Sequence, residues 1–267
     1  MNPAQWPSEW LLPDWPAPSH VSAVMTSRSG GVSLPPFDAM NLGDHVGDEP
    51  AHVASNRLLL ERGIAARPVF LKQVHGTQVV LLDESTSDGL QADAAVSNTA
   101  GLACMVMVAD CLPVLLAHRV ARVVGAGHAG WRGLAGGVLE SLHAGFCAAD
   151  ADAAATTNLT LAWLGPCIGP RHFEVGAEVR DVFLQEDAGA SAFFTAVAQG
   201  KFLADLPALA RRRLHSLGID EVYGNDGSDA WCTVSQASRF FSHRRDAGPR
   251  GNGFGTTGRM GACVWLT

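Results

Sequence analysis

Between residues 69 and 124 the chain carries six short runs rich in β-branched and other apolar residues, at 69–74, 79–82, 94–97, 102–108, 114–117 and 122–124, separated by polar or Gly-containing turns. Several are apolar at nearly every position instead of alternating, which is the pattern of strands covered on both faces. A sheet of that kind has to lie inside the molecule with other layers over it. The sequence after residue 131 supplies such layers. It reads as a helix to about residue 149, an Ala/Asp/Thr loop, a buried strand at 159–164, a helix near 177–185 and another at 206–217, capped by Asp205 and stopped by Gly218. Ahead of the strands, residues 51–62 have apolar positions at helical spacing, with Asp48 as N-cap and Gly63 as stop. Further strands are expected at 21–26, around 222 and at 263–266. Strands mixed with helices, no repeat and no long polar linker predict one layered α/β domain over residues 1–267. Residues 1–20 form an arm wrapped on its core and anchored by Trp6, Trp10 and Trp15.

Composition narrows the function. Of 267 residues 47% are hydrophobic and 17% charged, enough for a large core and too apolar for a disordered segment. Lys plus Arg number 19 against 26 acidic residues, so a formal charge of −7 gives no general attraction for nucleic acid or anionic lipid. The first 27 residues hold no Lys or Arg and are interrupted by Pro at 3, 7, 13, 16 and 18, which is not a signal peptide. The longest apolar stretch, 102–117, is broken by Asp110 and Pro113 and falls short of the roughly 20 residues of a membrane-spanning helix. A cytoplasmic protein without membrane partners is expected. Six cysteines, at 104, 111, 147, 167, 232 and 263, include no C-x-x-C pair and read as free thiols. None of the ten histidines stands in a His-x-His pair, so the ligand pattern of a trinuclear copper centre is missing.

Three segments place a reactive side chain beside Gly or Pro at a predicted strand end, where folds of this kind put function. They are Lys72-Gln73-Val74-His75-Gly76, Ala109-Asp110-Cys111-Leu112-Pro113 and Gly127-His128-Ala129-Gly130-Trp131-Arg132-Gly133. Two imidazoles and a thiolate suit zinc and would leave a fourth position open. Their spacings of 36 and 17 residues match no short zinc motif, so the same residues also read as hydrogen-bonded strand-end histidines and a small buried hydrophobe. The stretch 125–130 fits G-x-G-x-x-G, but it lies mid-chain and the next strand offers no ribose-binding acid, which excludes a dinucleotide fold. A strand-to-helix turn with Arg132 in the first helical turn still suits an anion such as phosphate. Arg28 and Arg244-Arg245 are further anion candidates. Cys167 follows a strand but has no His in its motif to activate it.

These segments, with Ala92-Asp93-Ala94, Gly165-Pro166, Phe173-Glu174-Val175-Gly176 and Arg239-Phe240-Phe241-Ser242 in the same order, resemble the YfiH family. Its members are named laccase-domain proteins, polyphenol oxidases or purine nucleoside phosphorylases. The likeness runs from Thr26-Ser27-Arg28-Ser29-Gly30-Gly31 to Thr257-Gly258-Arg259-Met260. It implies a single-domain four-layer α/β/β/α sandwich of mixed sheets and a zinc ion on His75, Cys111 and His128, with copper as the alternative metal. It also implies phosphorolysis of adenosine, inosine, guanosine and S-methyl-5′-thioadenosine, and hydrolytic deamination of adenosine. Arg28 and Asn41 match family positions near the site, Arg28 being expected on phosphate and Asn41 on substrate. Arg132 is expected to share the phosphate, and Asp110 to shuttle protons beside Cys111. The Gly-rich stretch 247–256 looks longer than the family's and sets Arg259 outside the carried-over residues. Cys167 stands where a small residue is common.

Other readings predict different behaviour. A copper-dependent oxidase of phenols needs more than one three-ligand site to reduce dioxygen to water. A Cys–His amidase acting on a cell-wall precursor would use Cys111 activated by His128. A structural zinc or nucleotide-binding module would unfold on loss of His75.

Overall fold

The structure is a computed structural model and describes residues 7–248 and 251–267. The strands are β1 (Val21–Met25), β2 (Arg67–Val69), β3 (Val79–Leu81), β4 (Ala94–Ser97), β5 (Leu102–Val108), β6 (Leu112–His118) and β7 (Val124–Ala129). They continue with β8 (Thr160–Leu164), β9 (Glu174–Gly176), β10 (Phe194–Ala198), β11 (Lys201–Ala204), β12 (Glu221–Gly224) and β13 (Met260–Leu266). The helices are α1 (Pro50–Ile64), α2 (Trp131–Ala135), α3 (Val138–Ala149), α4 (Ala151–Ala155), α5 (Ala177–Glu186), α6 (Leu206–Ser216) and α7 (His243–Asp246).

Two mixed sheets face each other. The larger has the order β12-β8-β6-β7-β4-β3, with parallel pairs only at its two edges. The smaller has the order β1-β13-β5-β2 and is antiparallel except for β2 with β5. Between them lie Cys104, Val106 and Val108 of β5, Ala262 and Val264 of β13, and Leu115, Ala117, Val124 and Ala126 of β6 and β7. The alternate residues of β5, Ala103, Met105 and Met107, point the other way and pack with Leu60 and Ile64 of α1. Val114, Leu116, Ala162 and Leu164 face Leu139, Leu142 and Phe146 of α3 and Leu209 and Ala210 of α6. Both faces of each sheet are therefore covered, which accounts for the unbroken apolar runs, and the layers stack α/β/β/α. No helix among the described residues is long and apolar enough to cross a membrane.

The glycines of 125–127 serve packing. A Cβ on Gly125 or Gly127 would come 3.0 Å from a δ-methyl of Leu142, so their absence lets α3 lie close on β7. The arm over the described residues pairs Leu11 with Met25 and buries Trp10 against the outer face of the smaller sheet, with Trp15 partly buried; Trp6 lies outside the described residues.

Several element boundaries differ from expectation. Asp48 does not cap α1: its carboxylate accepts from Ser33 Oγ and Asn41 Nδ2, and the helix begins at Pro50. It runs past Gly63 and ends where Ala65 takes a left-handed φ of 51°. The run 69–74 is strand only at its start, because from there the Gln73 side chain exchanges two hydrogen bonds with the Met107 backbone in place of a ladder. β7 does not end at Val124 but starts there and carries His128 as a strand residue. The helix expected at 131–149 is two helices, broken by Gly136 and by Gly137 at φ 95°. The Ala/Asp/Thr loop holds α4, capped by Asp150. A small third sheet, β10-β11-β9, is unforeseen, since most of β10 is exposed and carries no buried pattern.

Candidate metal centre and its cavity

His75 and Cys111 come from two connections and His128 from a strand, all at one end of the larger sheet. His128 is the next-to-last residue of β7 and lies opposite Pro113 of β6. Cys111 ends the three-residue crossing from β5 to β6, in which Asp110 takes a φ of 90°. His75 sits between β2 and β3 at φ 60°. Their ligand atoms all lie within 4.8 Å of one another, and no other His, Cys, Asp or Glu among the described residues joins the group.

One carboxylate organises two of the three. Asp93 is fully buried just ahead of β4, and its Oδ1 accepts from the backbone N–H of His75 at 2.9 Å and from Nδ1 of His128 at 2.8 Å. Its Oδ2 accepts from the N–H groups of Val74 and Gly76 at 3.1 and 2.7 Å. These bonds hold the turn of His75 in its left-handed conformation. They also fix the tautomer of His128, whose Nδ1 must carry the hydrogen, so that Nε2 is its free ligand atom. Burial works against the charged form of Asp93, but the bonds from His128 and the two backbone N–H groups hold its carboxyl below the usual value.

Cys111 and His128 act strongly on each other. Burial raises the Cys111 thiol, yet the charge of His128 and hydrogen bonds from both histidines outweigh it and draw it down to about 6. Burial likewise disfavours the His128 imidazolium, while Cys111 and Asp93 lift it to about 9. Cys111 Sγ stands 3.6 Å from His75 Nε2. A tetrahedral zinc with Zn–S of about 2.3 Å and Zn–N of about 2.0–2.1 Å requires a separation of about 3.6 Å between such atoms. That separation is the one such an ion needs, and all three donors line a cavity. Gly130 makes room: a Cβ there would lie 2.8 Å from His75 Cδ2 and 2.9 Å from Cys111 Sγ.

The three residues open on a cavity of about 470 Å³. Its walls bring in Met107, Trp131, Phe173 and Leu206 as apolar surface and His45, Arg132, His243, Arg244 and Arg259 as basic surface. Asp110 also lines it, but both its oxygens are engaged, Oδ1 by the Thr233 hydroxyl at 2.5 Å and Oδ2 by the Arg244 backbone N–H at 2.6 Å. Arg132 stacks over Trp131 at 4.4 Å. Its helix α2 has only five residues, so little macrodipole stands behind it.

Arg28 and Asn41 are not on these walls. Arg28 donates to the carbonyls of Asp38 and Ala237, pairs with the Asp38 carboxylate and lies over Phe241. Asn41 is buried, donating to Gly43 O and Asp48 and accepting from the N–H groups of Gly43 and Arg259. Cys167 is buried too, and desolvation holds its thiol well above the ordinary range, which makes it a poor nucleophile. Sequence reasoning gave Asp93 no role although Ala92-Asp93-Ala94 is among the resembling segments, set Arg259 aside, and missed His45 and His243.

Comparison with known proteins gives the chain its relatives. The family model described as multi-copper polyphenol oxidoreductase laccase matches residues 22–267. The purine nucleoside phosphorylase YfiH of Escherichia coli is 47% identical over 262 residues, which are 97% of this chain and 99% of that protein. A purine nucleoside phosphorylase of Pseudomonas aeruginosa is 48% identical over 258 residues, 96% of this chain and 98% of that one. Among solved structures, a Neisseria meningitidis protein at 42% identity superposes with a TM-score of 0.87 over 97% of this chain and 99% of its own. YlmD from Geobacillus stearothermophilus, at 27% identity, gives 0.82 over 96% of each.

Proposed function

This chain belongs to the multi-copper polyphenol oxidoreductase laccase family, and from that membership and the geometry above we propose that it is a zinc-dependent purine nucleoside phosphorylase. Phosphate attacks the ribose C1′ of adenosine, inosine, guanosine or S-methyl-5′-thioadenosine, the bond from C1′ to the base breaks, and free purine and the sugar 1-phosphate leave. The observation that carries the reading is one cavity holding a closed His75, Cys111 and His128 donor set together with a basic wall. A zinc ion held there would supply a Lewis acid in an open coordination position. Trp131 and Phe173 give the cavity an aromatic wall, and the cavity is of a size that encloses small ligands. Arg132 faces the same space and is assigned to anion binding. Asp110 is assigned to positioning, because its carboxylate already ties the Cys111 crossing to Thr233 and Arg244.

Deamination of adenosine, in which water adds at C6 and ammonia leaves, is proposed as a second activity of this cavity. A single three-ligand group among the described residues supports one ion in preference to the copper cluster of a phenol oxidase. One observation favours a second reading: Cys111, His128 and Asp93 line up as nucleophile, base and orienting acid, the arrangement of a Cys–His amidase.

The deciding experiment measures free base released from inosine and adenosine by protein of known metal content, with and without phosphate, beside His75→Ala. Phosphate-dependent release lost in the variant supports the phosphorylase, and inosine formed from adenosine supports deamination. No release from folded, zinc-replete protein whose Cys111 still reacts fast with iodoacetamide overturns it in favour of the amidase.

A further inference from the structure

We infer that Arg259 and Arg244 hold the phosphate of this reaction alongside Arg132, and that Arg28 and Asn41 serve to place Arg259. The inference rests on the phosphorylase reading for what the anion does, but the anion site itself is read from the cavity.

The charges on the wall are unbalanced. Arg132, Arg244 and Arg259 line it with Asp110 as the only acid, and that acid is bonded to a hydroxyl and a backbone N–H. None of the three guanidinium groups has a carboxylate partner among the described residues, whereas Arg119, Arg212 and Arg213 elsewhere each do. Arg244 donates instead to the carbonyls of His172 at 3.1 Å and Glu174 at 3.2 Å. Arg259 Nη1 donates to the carbonyls of Thr257 at 2.9 Å and Gly258 at 3.2 Å. Carbonyls fix the direction of a guanidinium without neutralising it, and the remaining N–H groups of Arg259 bond to no protein acceptor among the described residues. Two oriented, uncompensated forks match the oxygens of a phosphate dianion.

The segments picked out by sequence converge on Arg259. Asn41 Oδ1 accepts from its backbone N–H at 2.9 Å, and Leu42 donates to its carbonyl at 3.0 Å. Gly43 leaves space for its stem, since a Cβ there would lie 2.8 Å from Arg259 Cγ. Arg28 covers Phe241, whose ring fills the space that a side chain at Gly258 would need. Asp246 accepts from Thr257 Oγ1 at 2.9 Å and from the Ser242 N–H at 3.1 Å, joining the chain just before Arg244 to the chain just before Arg259.

The test titrates inorganic phosphate into zinc-loaded protein by calorimetry, comparing wild type with Arg259→Gln, Arg259→Lys, Arg244→Gln and the surface control Arg119→Gln. Loss of a charge-assisted bidentate contact should weaken phosphate roughly 10- to 100-fold in Arg259→Gln and Arg244→Gln. Arg259→Lys should fall between, because it keeps the charge and loses the fork. Arg119→Gln should bind as wild type does. In turnover, KM for phosphate should rise while KM for inosine stays near the wild-type value. Wild-type affinity in folded Arg259→Gln or Arg244→Gln, or no phosphate binding by wild type, overturns the assignment. Phosphate binding that depends on both arginines without any base release sinks the phosphorylase reading and leaves the anion site standing.

Discussion

Asp93 is the residue on which the candidate centre turns, because one carboxylate accepts from three backbone N–H groups and one imidazole. Asp93→Asn keeps the shape but replaces an acceptor oxygen by a donor facing N–H groups. Zinc affinity, measured by competition with a chelator, should fall about 10- to 100-fold, as it does when outer partners of metal ligands are removed. Gly130→Ala should likewise weaken zinc, through contact of the new methyl with His75 and Cys111, and a chelator titration of the folded variant checks it. The grouping of His75, Cys111 and His128 was legible in the sequence because each stands near Gly or Pro at a strand end. Asp93 was not, because a lone acid gives no sign of four donors gathered from elsewhere in the chain. Arg28 and Asn41 were picked out as site residues, and the structure sets both off the cavity wall, bonded to backbone.

At the scale of elements, β4 and β5 could be read to the residue, since an apolar run with both faces buried has no ambiguous edge. The crossing of 70–78 could not, because there a side-chain amide replaces the ladder. The break at Gly136-Gly137 and the sheet of β9 to β11 depend on tertiary contacts that local pattern does not carry. The contact of β7 with α3 is the most exacting of these. Gly127→Ala should cost about 1–3 kcal/mol by overpacking, and Leu142→Ala about 2–5 kcal/mol by leaving a cavity. Together they should cost less than their sum, since the added methyl enters the vacated space, and a double-mutant cycle in urea reads that coupling. The segment carrying α7 has a pH signature. Burial raises the carboxyl of Asp246, but bonds from Arg245, Ser242 and Thr257 outweigh it and hold it below the ordinary value. A depressed folded value contributes stability that is fully present above the unfolded value of about 3.9 and is lost as pH falls through the lower folded one. The stability difference between wild type and Asp246→Asn should therefore be constant near neutrality and shrink in acid below that value, as denaturant titrations from pH 7 to pH 2 would register.

For the whole molecule, runs apolar on both faces foretold a covered sheet, and the stacking of two sheets was implied by the family resemblance. The register within the smaller sheet was not foreseeable, since it depends on partners such as Thr26 and Gly261, 235 positions apart. The candidate site lies where the two sheets meet. Cys111 ends the link from the smaller sheet to the larger, His128 belongs to the larger, and Arg259 immediately precedes a strand of the smaller. That link is the three residues 109–111, and Asp110 knots it to Thr233 and to the backbone of Arg244. Sliding one sheet over the other would have to stretch this short tether, so the molecule is pinned against shear at the place where its ligands meet. Hydrogen exchange should be slowest in the amides of β5, β6 and β13 beside the tether and fastest at the edge strands β2 and β3. Warming would then loosen the rim first and leave the cavity's dimensions unchanged until the sheets part altogether.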